Sequence, residues 1–500
     1  MDDSVTDQET RRQAPAVIGT VAATLVALAL VSMPGSETLP PEGQRMGAIF
    51  AVVLILWVTE AIPVAMTSLL AVALLPIFGV ADLPTAFGTF ISPVFFFVLS
   101  MFIIAQAFIS SGLDRRFALW LLSKAGTDSR RVLMVFMAGT CLISTIMSDV
   151  PATAIFMALA LGLFDKMQLP IGQSSFAKAL MIGIPVAALI GGVATPAGSS
   201  INILGIFFIQ EYGDVTIRFL DWMVIGIPLA LGMLPLAVWV LLWWYPPEMD
   251  HVTAVGDIET ERAGLGTVTA REWRVLVILT TMVVLWILST WVPELNVVLV
   301  SLVGSIVMFL PGMQLFTWKE VERGIGWEAL LMVGGVTALG AASVETGLAQ
   351  WLVDGSLSGL EDWNALWVVA IVSAFTVVIH LALPIGPVIN SVLIPPLALL
   401  ALSTGQNPAL YALPVAFTAS CAFLLPLDPV PLLTYGKGYY RMLDMLAPGS
   451  ILSVCWVVLI TTLVVLLGPV VGLLSTLIAA SQGSSVGVVG GGSRRWVPCL

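Results

Sequence analysis

The chain has 500 residues, 58% of them hydrophobic and only 10% charged, with a mean hydropathy of +1.02. Soluble globular chains carry about 25% charged residues, so these values exclude a soluble domain and describe an integral membrane protein. The net charge of −11 comes from acids in loops and near the N-terminus, which excludes a basic nucleic-acid-binding surface.

In chain order, residues 1–13 read as a cytoplasmic N-terminus. The first apolar run, 14–33, is long enough to span and lacks a small-residue cleavage pattern, so it predicts a retained helix rather than a signal peptide. Further runs of roughly twenty residues, the length that crosses a hydrocarbon core, predict spans near 45–61, 64–79, 92–111, 175–209, 222–245, 273–292, 295–311, 327–348, 408–435 and 448–475. That makes about eleven transmembrane helices. Two more apolar segments are interrupted midway, 131–164 at Ser148-Asp149-Val150-Pro151 and 364–403 at Pro384-Ile385-Gly386-Pro387. Both read as re-entrant hairpins, since backbone that leaves a helix at membrane depth must be shielded by protein or line a wet cavity. Residues 246–272 form a polar linker, and 476–500 a tail, Gly/Ser-rich from Ser481 onward and predicted disordered. The four cysteines have no metal or disulfide spacing.

With the N-terminus inside and both hairpins non-crossing, only Arg45, Arg218, Arg494 and Arg495 of the twenty Lys and Arg residues fall outside. This positive-inside bias places the chain in an inner membrane, N-terminus cytoplasmic and C-terminus outside. It also makes 45–245 and 273–475 two inverted-topology repeats. Ile184 to Gly205 and Leu413 to Gly436 support this reading, because they align without a gap when Pro185 is set on Pro414. Ser199 then falls on Asp428. Asp221 and Gly226 open one last helix as Asp444 and Gly449 open the other. Broken helices at matching places in two halves are a pointer to a transporter binding site.

No soluble-enzyme motif and no ATP-binding loop occurs, so the chain reads as a non-enzyme needing no cofactor, and any transport would be secondary. Intramembrane ionisable groups are functional candidates by default. These are Glu60, Asp149, His380 and Asp428. No Lys or Arg lies within the hydrophobic part of any predicted span. An anionic substrate would therefore be held by hydroxyls, backbone N–H groups and helix N-termini, whose partial positive charge suits an oxyanion. Asp149, beside Ser148 and before Thr153, is either a coupling-ion ligand or an N-cap. Asp428 has the same two readings. His380 is either a substrate ligand or a structural hydrogen-bonding residue, and Glu60 a junction residue or a ligand. Asn202 and Asn390 either coordinate Na⁺ or bridge loose backbone groups.

Trp57-Val58-Thr59-Glu60-Ala61-Ile62-Pro63, with Thr67-Ser68-Leu69-Leu70 and Pro76 after it, resembles the entry segment of the divalent anion/Na⁺ symporter family, whose members carry dicarboxylates, citrate or sulfate. Ser92-Pro93-Val94, Gly112-Leu113-Asp114-Arg115-Arg116, Gly334-Gly335, Glu345-Thr346-Gly347-Leu348, and Asp428-Pro429 leading to Tyr435-Gly436-Lys437-Gly438-Tyr439 extend the likeness over about 40–475. The resemblance implies an elevator-type carrier, usually a homodimer. Ion and substrate sites would lie at two hairpin tips and two helix breaks. The first tip keeps Ser148 and has Asp149 where the family has Asn; the second, Ile385-Gly386-Pro387, keeps none of the family motif. The first break keeps hydroxyls and the Asn (Ser199, Ser200, Asn202), and the second keeps one Pro (Pro429).

The expected protein is thus an all-α membrane carrier for a small anion. A di- or tricarboxylate is favoured over sulfate, with coupling to Na⁺, to H⁺ or to a counter-anion. Ser148, Thr153, Ser199, Ser200, His380, Gly386, Asn390 and Pro429 would touch substrate. Ser148, Asp149, Asn202 and Asp428 would hold the coupling ion. The alternative from another class is a non-transporting sensor or assembly protein on the same fold.

Overall fold

The computed structural model describes residues 19–29, 38–59, 61–252, 262–292, 294–313, 315–356 and 363–472. The predicted N-terminal segment 1–13, Glu60 and the tail 476–500 lie outside the described residues, as do the ends of the predicted first span. The described chain is helical, and its single β-bridge, Asp128 to His251, is isolated.

The helices run α1 (Gly19–Ala29), α2 (Pro41–Thr59), α3 (Val64–Ile77), α4 (Leu83–Phe90), α5 (Pro93–Ser111), α6 (Leu113–Leu122), α7 (Ser129–Met147), α8 (Asp149–Lys166), α9 (Ser175–Gly192), α10 (Ser200–Gly213) and α11 (Phe219–Trp244). After the linker come α12 (Ala270–Leu288), α13 (Val297–Val307), α14 (Trp318–Glu322), α15 (Trp327–Glu345), α16 (Leu348–Ser356), α17 (Ala365–Ile379), α18 (Gly386–Ser403), α19 (Pro408–Thr418), α20 (Pro429–Tyr435) and α21 (Leu446–Leu467). Eight stretches among the described residues are long and apolar enough to cross a membrane. That is fewer than the eleven spans expected. The predicted 175–209 divides into α9 and α10, and 408–435 into α19 and α20, where Pro, Gly and polar side chains end the helical ladder. The short helices α4, α6 and α16 were not foreseen, because their 8 to 10 residues fall below any span-length window.

Two groups of helices can be distinguished, and they touch where α15 meets α18 and where α5 meets α10. In one, α3 lies on α2 and α15, and α5 lies on α12 and α13. In the other, α9 sits at the centre of α7, α8 and α11 and is buried along nearly its whole length. A helix apolar all round belongs in such a core. The start of α9 is tied down at its polar end. Ser174 caps it, and Glu248 accepts from the Ser174 hydroxyl and from the Phe176 N–H. Lys178 pairs with Asp444 at 2.9 Å. Partial burial would raise the Asp444 carboxyl, but Lys178 and the Arg441 N–H outweigh it and hold the group below the usual carboxylate range.

The two helix breaks exchange partners. The piece after the first break, α10, packs on α18 and α19 of the second half; the piece after the second break, α20, packs on α8 and α9 of the first. The last helices of the halves match in detail. The backbone N–H groups of Arg218 and Arg441 donate to Asp221 and Asp444, at 3.0 and 2.8 Å. Five residues after each Asp stands a glycine pressed on break backbone. A Cβ on Gly226 would meet the carbonyl oxygens of Val193 and Ala194 at 2.5 and 2.9 Å, and one on Gly449 would meet the carbonyl oxygen of Phe423. Ala194 and Phe423 are equivalent in the ungapped alignment.

Backbone cannot retreat from a new methyl as a flexible side chain can. Gly226→Ala and Gly449→Ala are expected each to cost about 1–3 kcal/mol by overpacking. Gly162→Ala, where nothing lies within 4 Å inside α8, is expected to leave stability unchanged or raise it by up to about 1 kcal/mol. Thermal unfolding of the three purified variants in one detergent checks the contrast.

Candidate functional site

At the first tip, α7 ends at Met147 and α8 begins at Asp149, leaving Ser148 as the one residue between them. Its φ of 84° and ψ of 151° turn the chain so that α7 and α8 pack on each other. That backbone region is rarely used by a residue with a Cβ. Asp149 is 3% exposed, and its carboxylate is not spent on capping α8. Instead Oδ1 lies 2.8 Å from the Ser144 hydroxyl. The carboxylate presses against Gly192 so closely that a Cβ there would overlap Oδ1.

Freed carbonyls at the first break each find a named donor. Asn202 Nδ2 donates to Gly192 O at 2.7 Å and Thr195 O at 2.9 Å. Trp222 Nε1 donates to Val193 O at 2.8 Å. The Thr195 hydroxyl donates to Thr145 O at 2.6 Å, which ties the break to α7. Ser199 caps α10 by accepting from the Ile201 N–H.

The second break spans 419–428 and repeats this chemistry with different residues. His380 Nε2 bonds the Ala419 carbonyl at 2.8 Å, which is the structural role foreseen for it. Asp428 caps α20 by accepting from the Val430 N–H at 2.9 Å through Oδ1. Ser199 and Asp428, aligned in the sequence, therefore hold equivalent positions, each accepting from the N–H two residues on. The helix that Asp428 caps, α20, packs on α8, which Asp149 opens.

The second tip reaches the first break. A Cβ on Gly386 would meet Ile201 Cδ1 at 2.5 Å and Ala419 O at 2.6 Å, so both breaks converge on it. Asn390 Nδ2 donates to Ile201 O at 2.8 Å, the bridging role among its alternatives. Ser148 and Ser200 share a cavity of about 20 Å³ with α5, and His380 and Asp428 line another of about 10 Å³. Each is room for about one water. Pro429 is exposed, apart from this cluster.

Two buried amide oxygens in the cluster, Asn202 Oδ1 and Asn390 Oδ1, have no hydrogen-bond partner among the described residues, and neither do the hydroxyls of Thr153 and Ser420. Most buried polar atoms are paired, so such an excess of acceptors fits a cation or a protonated donor. Ser144 sharpens the point. Its oxygen lies 2.7 Å from Ala188 O and 2.8 Å from Asp149 Oδ1, yet a hydroxyl has one proton. When that proton goes to Ala188, contact with Asp149 requires a proton on the carboxyl group. Sequence reasoning missed Ser144, Thr195, Gly192 and Trp222. The signal for Ser144 was present as a small polar residue in the apolar run five positions before Asp149. Trp222 gave none, since it reads as one more apolar residue in α11.

Residues 15–474 match the family described as the sodium:sulfate symporter transmembrane region. The chain is 28% identical over 477 residues to the sodium-dependent dicarboxylate transporter SdcS of Staphylococcus aureus, with 90% of each chain covered. It is 28% identical over 446 residues to SdcS of Staphylococcus saprophyticus, covering 83% of this chain and 85% of that one. Among solved structures it is similar to MtrF of Neisseria gonorrhoeae, with a TM-score of 0.49 and 12% identity, covering 89% of this chain and 94% of that one.

Trp222 stacks on Phe417 with centroids 4.0 Å apart while bonding Val193 O. Trp222→Phe keeps a ring for the stack and removes the donor. It is expected to cost about 1–3 kcal/mol, the usual cost of an orphaned buried acceptor, as a lowered unfolding temperature. Wild-type stability in this variant would show that Val193 O has another partner.

Proposed function

This chain belongs to the family of the sodium:sulfate symporter transmembrane region, and from that membership we propose a secondary active carrier that moves small anions by alternating access. It is an integral membrane transporter and not an enzyme. Di- or tricarboxylates are the proposed substrates, on the strength of relatives named as dicarboxylate transporters; sulfate is the alternative that the family description favours.

The observation that carries the reading is the meeting of two acids with a surplus of acceptor oxygens where both helix breaks and the second tip converge. Asp149 and Asp428 are both buried, and a buried carboxylate is costly to keep charged without a neutralising partner. In this proposal Na⁺ or H⁺ is that partner at Asp149, with Ser144, Ser199 and Asn202 around it. Before the cation arrives, Asp149 repels an anion. Afterwards the N-termini of α8, α10 and α18, with Ser148, Ser200, Thr153 and Asn390, attract one. Cation and anion thereby favour each other's binding, which is the requirement for symport. The one-proton geometry at Ser144 favours H⁺ as a second coupling ion beside Na⁺, and anion exchange is the remaining route. Cavities of one-water size around the tips fit a closed conformation, from which a carboxylate enters only after movement.

The proposed frame for that movement is two inverted repeats, 45–245 and 273–475. Residues 131–164 and 364–403 would be re-entrant hairpins, and the cluster around α9 and α18 would travel as an elevator against the set around α3 and α5. The reciprocal packing of α10 and α20 supports this frame. The proposed setting is a homodimer in an inner membrane, with the N-terminus cytoplasmic and the C-terminus outside.

Proteoliposomes loaded to impose a Na⁺ or pH gradient are expected to take up labelled succinate or citrate in a gradient-dependent way, with sulfate as the comparison. No gradient-driven uptake of any of the three would overturn the carrier reading and leave a sensor or assembly role. In the same assay Asp149→Asn is expected to change the cation dependence while membrane insertion and yield stay as in wild type. An unaltered ion dependence would remove Asp149 from coupling.

A further inference from the structure

A larger cavity lies away from both breaks. It has a volume of about 780 Å³ and sits between α6, the linker residues 262–268 and the start of α12, with the end of α5 behind it. Phe117, Trp120 and Trp273 supply much of its wall. One arginine is built into its frame. Arg116 grips the buried Glu272 through Nε and Nη2, at 2.8 and 3.2 Å, and donates to the carbonyls of Leu265, Gly266 and Thr267. Its charge is balanced by Glu272, and its donors hold the linker in place.

A second cation is not balanced. Arg262 is exposed on the same cavity and donates to the Ser123 hydroxyl at 3.1 Å. No carboxylate pairs with it among the described residues. Arg271 and Arg274 stand in the first turns of α12 and add to the positive field. Arg274 spends one N–H on Met313 O.

The cavity does not end at the polar edge. A groove of about 330 Å³ shares Trp273 and Leu276 with it and continues along α12 past Val277, Thr280, Thr281 and Val284. The Thr281 hydroxyl turns back to Val277 O at 2.8 Å, so it spends its polarity inside the helix. From Trp273 to Val284 is eleven residues, about 16 Å of helix. That is the depth of one leaflet's hydrocarbon, half of about 30 Å. Trp120 and Trp273, 44% and 60% exposed, are amphipathic rings of the kind that settle at the headgroup level.

A cation unpaired among the described residues at the mouth, tryptophans at the rim and a leaflet-deep apolar groove below describe one ligand chemistry. We propose that this site binds an anionic phospholipid, its phosphate on Arg262 and one acyl chain along α12 between Leu276 and Val284. Basic recesses between helices on the cytoplasmic side are a known physical basis for selecting such headgroups. The bound lipid would bridge α6 of the first half to α12 of the second, next to the Arg116–Glu272 clamp. This inference needs the membrane location only, and does not depend on which ion or anion is carried.

Native mass spectrometry of the purified full chain tests it, with phosphatidylglycerol against phosphatidylcholine as probes. Wild type is expected to retain phosphatidylglycerol selectively. Arg262→Gln is expected to weaken that retention about fivefold, the worth of one basic residue near an anionic surface, and Arg262→Glu to abolish it. Arg262→Lys should keep most of it. Leu276→Trp, which fills the groove and leaves the charge, is expected to lower retention of phosphatidylglycerol while Arg262 stays in place. Equal retention of both lipids by wild type, or wild-type selectivity in Arg262→Glu, would overturn the proposal. Full thermal stabilisation by inorganic phosphate alone would also overturn it, since the site would then read a free anion. Uptake plays no part in these readouts, so a failed transport assay and a failed lipid assay are separable.

Discussion

Backbone that leaves a helix inside an apolar interior must find partners for its N–H and C=O groups, and the rest of this structure follows from how that demand is met. Both breaks meet it locally. At the first, Asn202, Trp222, Thr195 and Ser199 take up the loose groups; at the second, His380 and Asp428 do so. Each unmet group would cost several kcal/mol in hydrocarbon, so these side chains are a condition for the breaks to exist. The same requirement concentrates polar atoms where the two halves meet, and a few oxygens are left over. In the proposed carrier those surplus oxygens, with Asp149, would hold the coupling ion.

The halves are not merely placed side by side. α10 lies on the second half and α20 on the first, so neither break can be assembled by its own half. A shift of α18 would carry Asn390 and its bond to Ile201 O with it, and hence the cap of α10. Under the proposed symport, a contiguous, packed path of this kind would let one locus respond to a cation and an anion together. The cluster also has a tight interior: Gly226 and Gly449 set the last helices of the two halves against break backbone. Close packing of this kind favours discrete arrangements over gradual ones.

Much of this was legible from residues alone. The ungapped register of Pro185 on Pro414 located both breaks, and the equivalence of Ser199 and Asp428 reappears as two N-caps of the same geometry. Two features explain the rest. Span windows do not give where a broken helix stops and restarts, as at 193–199 and 419–428, because hydropathy averages over the Pro and polar residues there. Partners that act through one atom also leave no pattern, so Trp222 and Gly192 were invisible: an indole N–H looks like any apolar residue, and a glycine's value lies in what stands against it. Asp149 was singled out for its charge, yet the sequence left cap and ligand undecided. In the structure its carboxylate accepts from the Ser144 hydroxyl.

The contact between Asp149 and Gly192 constrains how this sequence can change over time. A carboxylate resting on a bare Cα means that the two positions are not free to drift independently. Losing the acid opens room for a methyl at 192, whereas gaining the methyl first collides with the acid. Mutational routes through this pair are therefore ordered, and descendants of such a chain that abandon the aspartate are the ones in which position 192 becomes free to grow.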